Sequence, residues 1–219
     1  MLKWFTRTLM FVFGMLIGTQ LGVRALLRYR PLPVPAQFGG LFGHPLRMLY
    51  RDPARVVDFA AVRKNATVLD LGCGTGLFSV ELARRIGGNG LLHAVDFQAD
   101  MIAHTRRRLD AAQLQNVQLS VAPAETLPIE SASVDTAVLI SMLAETRDKD
   151  RVLREVRRVL KPGATLVIGA ELIEPEYVRP DTSRKWAERN GFQLVARNGN
   201  SFAYMLKFVK PVNPLNVAA

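Results

Sequence analysis

The stretch VLDLGCGTG, Val68 to Gly76, constrains this chain more than any other: a short apolar run closes on Asp70, and glycines follow at 72, 74 and 76. Residues 77–86, LFSVELARRI, then continue in a helical pattern. A strand that runs through a glycine-rich turn into a helix is a nucleotide cradle. The glycines have no Cβ to keep a ligand off the backbone, and the N–H groups at the helix start point into the gap. Leu77 stands where the dinucleotide fingerprint Gly-x-Gly-x-x-Gly needs its third glycine, so the spacing departs from that fingerprint.

Asp-x-Gly-x-Gly-x-Gly after a first strand resembles the signature of class I S-adenosylmethionine (SAM)-dependent methyltransferases. Other blocks stand in the same order: LLHAVD closing on Asp96, AETLP at 124–128, SVDTAVLI at 133–140, and REVRRVLKPGATLVIG at 154–169. In order and spacing they are similar to the small-molecule methyltransferases related to ubiquinone and menaquinone C-methyltransferases, over roughly residues 45–210. The expected fold is α/β, a Rossmann-like, doubly wound, seven-stranded and mostly parallel sheet closed by a C-terminal antiparallel hairpin. Strands are expected near 66–71, 91–95, 117–121, 133–140 and 164–171, and helices near 77–86, 99–112 and 148–160. Lys161-Pro162-Gly163 reads as a turn before the fifth strand, a helix follows Asp181, and the hairpin splits at Gly199-Asn200.

The resemblance implies SAM as cofactor and assigns it residues. Gly72, Gly74 and Gly76, with Cys73 inside the same loop, would admit its methionine and ribose part. Asp70 would orient the loop or reach the cofactor's amino group. Asp96 would accept from both ribose hydroxyls, its bland alternative being a helix cap. Phe97 is placed to pack on adenine, beside Ala124 and Glu125. Pro123 replaces an aspartate common in relatives, which leaves the backbone of Ala124 for adenine recognition. Ser141, Met142 and Glu145 line the expected mouth after strand four, with Glu145 as base or acceptor clamp, or else a solvated acid. His44, Arg47 and Tyr50 are candidates for a lid over the site, or for an interfacial face on anionic lipid. No metal site is expected. Methyl transfer needs alignment and exclusion of water more than a catalytic triad.

The first residues carry a different message. Residues 9–23 contain no charge, and apolar character extends from Trp4 to Leu27, interrupted by Arg7 and Arg24. Their long stems can snorkel, so the expectation is a single membrane-spanning helix, weighed against a presequence and a signal peptide. Gly14, Gly18 and Gly22 fall on one face, where a second helix could approach and make a homo-oligomer. The proline-rich residues 31–43 form a linker. The expected domains are therefore an anchor at 1–30, the linker, a methyltransferase domain at 44–210 and a tail at 211–219. The expected location is single-pass membrane with the domain in the cytoplasm.

Charge supports that division. Of the +10 formal charge, residues 1–65 hold ten Lys or Arg against two Asp, while the remaining residues hold 19 basic against 17 acidic. Nucleic acid is not an expected partner for a domain so nearly balanced. The single cysteine, Cys73, allows no internal disulfide. The acceptor is expected to be small or lipid-like, since tethering raises the effective concentration of an enzyme at a substrate in lipid. Two other readings stay open: a nicotinamide-nucleotide oxidoreductase, and a catalytically silent scaffold assembled through the anchor.

Overall fold

The structure, a computed structural model, describes residues 52–172, 174 and 176–212, together with Trp4, Met10, Phe11, Gly14, Met15, Gly18, Thr19 and Gly22. These eight N-terminal positions are helical. Among the described residues no helix is long and apolar enough to cross a membrane. Most of the stretch expected to span one, the linker, and the lid candidates His44, Arg47 and Tyr50 lie outside the described residues.

Helix α1, Pro53–Ala60, starts as its sequence dictates. Asp52 accepts from the Ala54 N–H, proline occupies the first turn, and Val56, Val57 and Ala60 face inward. The chain then alternates: β1 Thr67–Leu71, α2 Leu77–Ile86, β2 Leu91–Asp96, α3 Ala99–Ala111, β3 Val117–Val121, β4 Val134–Ile140, α4 Lys149–Val159, β5 Leu160–Glu171, α5 Pro180–Arg189, β6 Gln193–Gly199 and β7 Ala203–Val209. A short 3₁₀ turn, Leu143–Glu145, links β4 to α4.

The seven strands run in the order β3-β2-β1-β4-β5-β7-β6. The first five are parallel, and β7 enters antiparallel between β5 and β6. Both faces are covered. Val68, Leu92, Ala94 and Val138 pack under α1, α2 and α3, while Leu69, Leu71, Ala137 and Leu139 pack under α4 and α5. Burial on both sides is why the central strands are continuously apolar rather than alternating. The sheet reverses its winding between β1 and β4, and the crevice beyond the carboxyl ends of those strands is where a ligand fits in such folds.

Two expectations shift in detail. The Lys161-Pro162-Gly163 turn is absorbed into a longer β5, which starts at Leu160 and pairs with Val134 before a register break. Gly163 at φ +77° makes that break possible, and its N–H reaches the Lys210 carbonyl at 2.8 Å. The last helix begins one residue earlier than Asp181, on Pro180.

The segment between β3 and β4 has no helix, and side chains of α4 hold it instead. Glu155 accepts from the Leu127 N–H at 2.7 Å, and Arg158 donates to the Leu127 and Ile129 carbonyls and to Ser131. The two side chains also pair with each other. Arg158→Ala is therefore expected to loosen residues 123–131 and cost about 1–2 kcal/mol, within the range for hydrogen bonds to a charged group after discounting for solvent. Thermal melts should fall by roughly 2–8 °C for a chain of this size. Hydrogen exchange should rise across 123–131 before the central strands.

Candidate active site

The loop after β1 folds back on the end of β2. The Gly72 and Cys73 N–H groups both donate to the Val95 carbonyl, at 2.8 and 3.1 Å. Gly72, Gly74 and Gly76 all have positive φ, which is why glycine recurs at every second position. Their uses differ. A Cβ built on Gly72 would stand 2.6 Å from the Met142 Cβ, and one on Gly76 would stand 2.9 Å from Thr105. A Cβ on Gly74 would meet nothing within 4 Å. The free space above Gly74 belongs to a cavity of about 430 Å³.

Asp96 joins the two strand ends. One carboxylate oxygen accepts from the Gly74 N–H and the other from the Gln98 N–H, both at 3.0 Å. The cap role and the ligand role are compatible, because each oxygen keeps a second lone pair and Asp96 lines the cavity. Burial raises its carboxyl above the usual range, while the backbone N–H bonds oppose that shift. Thr105 on α3 braces the loop from below: it is fully buried and donates to the Gly74 carbonyl at 2.8 Å.

The cavity lies along four strand ends in sheet order. Pro123, Ala124 and Glu125 follow β3; Asp96, Phe97 and Gln98 close β2; Gly72 to Thr75 follow β1; and Ile140 to Met142, Glu145, Thr146 and Arg147 follow β4. Three strand spacings make roughly 14 Å. Phe97 is 53% exposed, so its ring face is available to a planar ligand. Ser141 has φ +62°, and its buried hydroxyl has no hydrogen-bond partner among the described residues.

Of the residues expected at the site, Gly72, Cys73, Gly74, Asp96, Phe97, Ala124, Glu125, Ser141 and Glu145 line this cavity. Asp70 and Gly76 do not. Asp70 lies behind the loop, where it accepts from the Ser79 hydroxyl at 2.6 Å, and Gly76 packs on Thr105. Thr75, Phe78, Gln98, Met101, Thr146 and Arg147 line the cavity without having been singled out. Gln98, Thr75 and Phe78 flank the recognised motifs and were within reach of the sequence. Met101 on α3 and Thr146-Arg147 carry no local signal. Cys73 is buried, with its thiol pushed up by burial and nearby carboxylates, as befits a small filler rather than a nucleophile.

The family described as "Methyltransferase domain" matches residues 62–203. The chain belongs to that family, and within it to the class I SAM-dependent methyltransferases. A ubiquinone/menaquinone biosynthesis C-methyltransferase, UbiE of Klebsiella pneumoniae, is 30% identical over 158 residues, covering 70% of this chain. The chain spans 63% of the length of that relative. A SAM-dependent methyltransferase structure from Aquifex aeolicus superposes with a TM-score of 0.76 at 20% identity, over 81% of this chain and all of the other. The cyclase SpnF shares the fold at a TM-score of 0.66 and 18% identity, over 74% of this chain and 80% of its own. The methyltransferase sheet alone therefore does not decide a reaction.

SAM is the cofactor of this family, and the residues present fit it: an open cradle at Gly74, an acid at the β2 end, and an exposed aromatic ring beside it. The buried acids leave a pH signature. Burial raises Asp70 from 3.8 to about 7, with Ser79 lowering it and Asp96 raising it further. The folded chain then keeps a proton that the unfolded chain releases near pH 4, so stability falls as pH rises from about 4 to about 7. Asp70→Asn, which still accepts from Ser79, should remove that part of the slope. Melting temperatures at pH 5 to 8 should show the variant gaining on the wild type by the equivalent of ~2–4 kcal/mol. A difference that shrinks or reverses with rising pH would contradict this placement of Asp70.

Proposed function

We propose that the chain transfers a methyl group from SAM to a small or lipid-like acceptor at a membrane surface. One observation carries the proposal: a single cavity passes over Gly74, beside Asp96 and on to Glu145, across four adjacent strand ends. Sheet order supports one allocation of the parts. Adenine belongs at Phe97 and Ala124, the ribose hydroxyls at Asp96, the methionine at the glycine loop, and the methyl group with its acceptor at the β4 end. SAM supplies, when bound, a methyl group already activated by the charge on sulfur. The chain aligns and encloses, and Glu145 is the base or clamp on the acceptor side.

A lipid-like acceptor is favoured by two features. The uncharged stretch at 9–23 precedes the domain, and the apolar side chains described in it are open: Met10 is 75%, Phe11 73% and Met15 58% exposed. The similarity to proteins named for ubiquinone and menaquinone biosynthesis points to a ring-bearing lipid acceptor of that general kind. The cytoplasmic side is preferred because SAM is made there. The Gly14, Gly18 and Gly22 face is open to a second helix, since a Cβ at any of them meets nothing within 4 Å. The full-length chain is therefore expected to sediment with membranes and resist carbonate extraction. An uncleaved chain found wholly in the soluble fraction would remove the anchor and keep the methyltransferase.

Asp96→Asn keeps the shape of the site and removes one acceptor together with the charge. The expected cost is about 2–3 kcal/mol, or a 30- to 150-fold loss of SAM affinity. S-adenosylhomocysteine (SAH), the demethylated product, shares the ribose and should weaken by the same factor, with little change in rate at saturating cofactor. Titrations of wild type and variant with SAM, SAH and NADH measure this, with circular dichroism confirming the fold. Binding of NADH and not SAM would replace the methyltransferase with an oxidoreductase. Binding of none would favour the silent scaffold.

A further inference from the structure

The wall at the β4 end is acidic and poorly neutralised. Glu145 closes the 3₁₀ turn after β4 and lines the cavity with Ser141 and Met142. No hydrogen bond or ion pair to its carboxyl exists among the described residues. Glu174 and Glu176, on the connection from β5 to α5, and Asp96 from β2 all repel a charge placed there. Glu176 brings two buried carboxyl oxygens that have no hydrogen-bond partner among the described residues. The nearby cations are directed elsewhere or lie in water. Lys149 donates to the Thr146 carbonyl, faces Glu176 and sits 5.7 Å from the Trp186 ring centre, and Arg147, although it lines the cavity, is exposed. A partly buried carboxyl facing three acids and no partner holds its proton.

Resting on the cofactor assignment above, we propose that Glu145 reads the charge of the cofactor: it is neutral in the cofactor-free chain, becomes a carboxylate when the SAM sulfonium lies beside it, and stays neutral when SAH, which lacks that charge, is bound instead. The positive sulfur is the counter-ion that the acidic wall lacks. Its arrival expels the Glu145 proton to solvent, and the resulting ion contact exists for the donor alone. SAH meets a protonated acid and gains nothing from it. The chain thereby prefers the cofactor that can still react, and in the SAM complex it presents a carboxylate at the acceptor end when a base is needed.

The electrostatics agree. Burial first, then Glu176, Glu174 and Asp96, raise Glu145 from 4.5 to about 8. Below that value SAM binding must be linked to proton release. The dissociation constant for SAM should tighten close to tenfold per pH unit between pH 6 and about 7.5 and level off above pH 8, while that for SAH changes far less. Glu145→Gln should flatten the SAM curve and bring the two ligands to within a fewfold of each other at pH 8. Asp70, which also titrates near neutrality, and the amine common to both ligands remain in that variant, so the difference between the curves isolates Glu145.

The test is calorimetric titration of the full chain with SAM and with SAH at pH 6, 7 and 8, in two buffers of different ionisation enthalpy, which counts protons directly. The expected result is release of nearly one proton per SAM at pH 6 and close to none per SAH. Equal proton counts for the two ligands in the wild type would overturn the proposal even if Glu145→Gln failed to fold. Retention of the SAM proton release in a folded Glu145→Gln chain would overturn it as well. Failure of both ligands to bind would instead remove the cofactor assignment on which the proposal rests.

Discussion

Two hydrogen bonds to one carboxylate hold the site in shape. Asp96 at the end of β2 grips the Gly74 N–H on the loop after β1 and the Gln98 N–H before α3, so the ends of two adjacent strands move as a unit. Everything placed over those ends depends on this clamp. It fixes Gly74 at a positive φ with its open side toward the cavity, and Thr105 completes the hold from below by donating to the Gly74 carbonyl. A loop of three glycines would otherwise be the most mobile segment of the sheet edge, since glycine gives up the most conformational freedom on ordering. The acid thus organises the backbone first and keeps lone pairs for a ligand second.

The same region concentrates buried acid. Asp70, Asp96 and Glu145 each carry raised proton affinities, with desolvation the largest cause in every case. Carboxyls placed so cost stability at neutral pH, and they cluster where a cationic ligand would relieve them. Their neighbours differ in consequence. Asp70 is satisfied by Ser79 behind the loop and acts on stability, whereas Glu145 has no partner among the described residues and faces the cavity. The distinction separates a structural acid from one available to chemistry.

Much of the fold was legible in the sequence because each of its signals is local. The apolar runs ending on Asp70 and Asp96, the proline and Asp52 that start α1, and Gly199-Asn200 in the hairpin all specify backbone within a few residues. Element positions in the sheet agree to within a few residues. The start of β5 was misplaced because its pairing with Val134 and its contact with Lys210 are decided by distant chain, which overrides the local turn signal of Lys161-Pro162-Gly163. The site followed the same rule. Motif residues such as Gly74, Asp96 and Ala124 line the cavity, whereas Thr75, Phe78 and Gln98 beside them carried no signal of their own, Met101 and Thr105 act from one face of α3, and Arg158 acts from α4 onto the loop that carries Ala124. Gly76 and Asp70 belong to the motif by spacing, yet serve packing and support, because a spacing does not reveal which way a side chain or a missing Cβ points.

The proposed cofactor path runs through one cavity along the strand ends, from adenine at β3 to sulfur at β4. A crystal structure of the chain with SAH tests it most directly. The expected result is adenine against Phe97, both ribose hydroxyls within hydrogen-bond distance of Asp96, and the thioether sulfur over the β1–β4 side nearest Met142 and Glu145. SAH bound in the reverse direction, or away from Gly74, would contradict it.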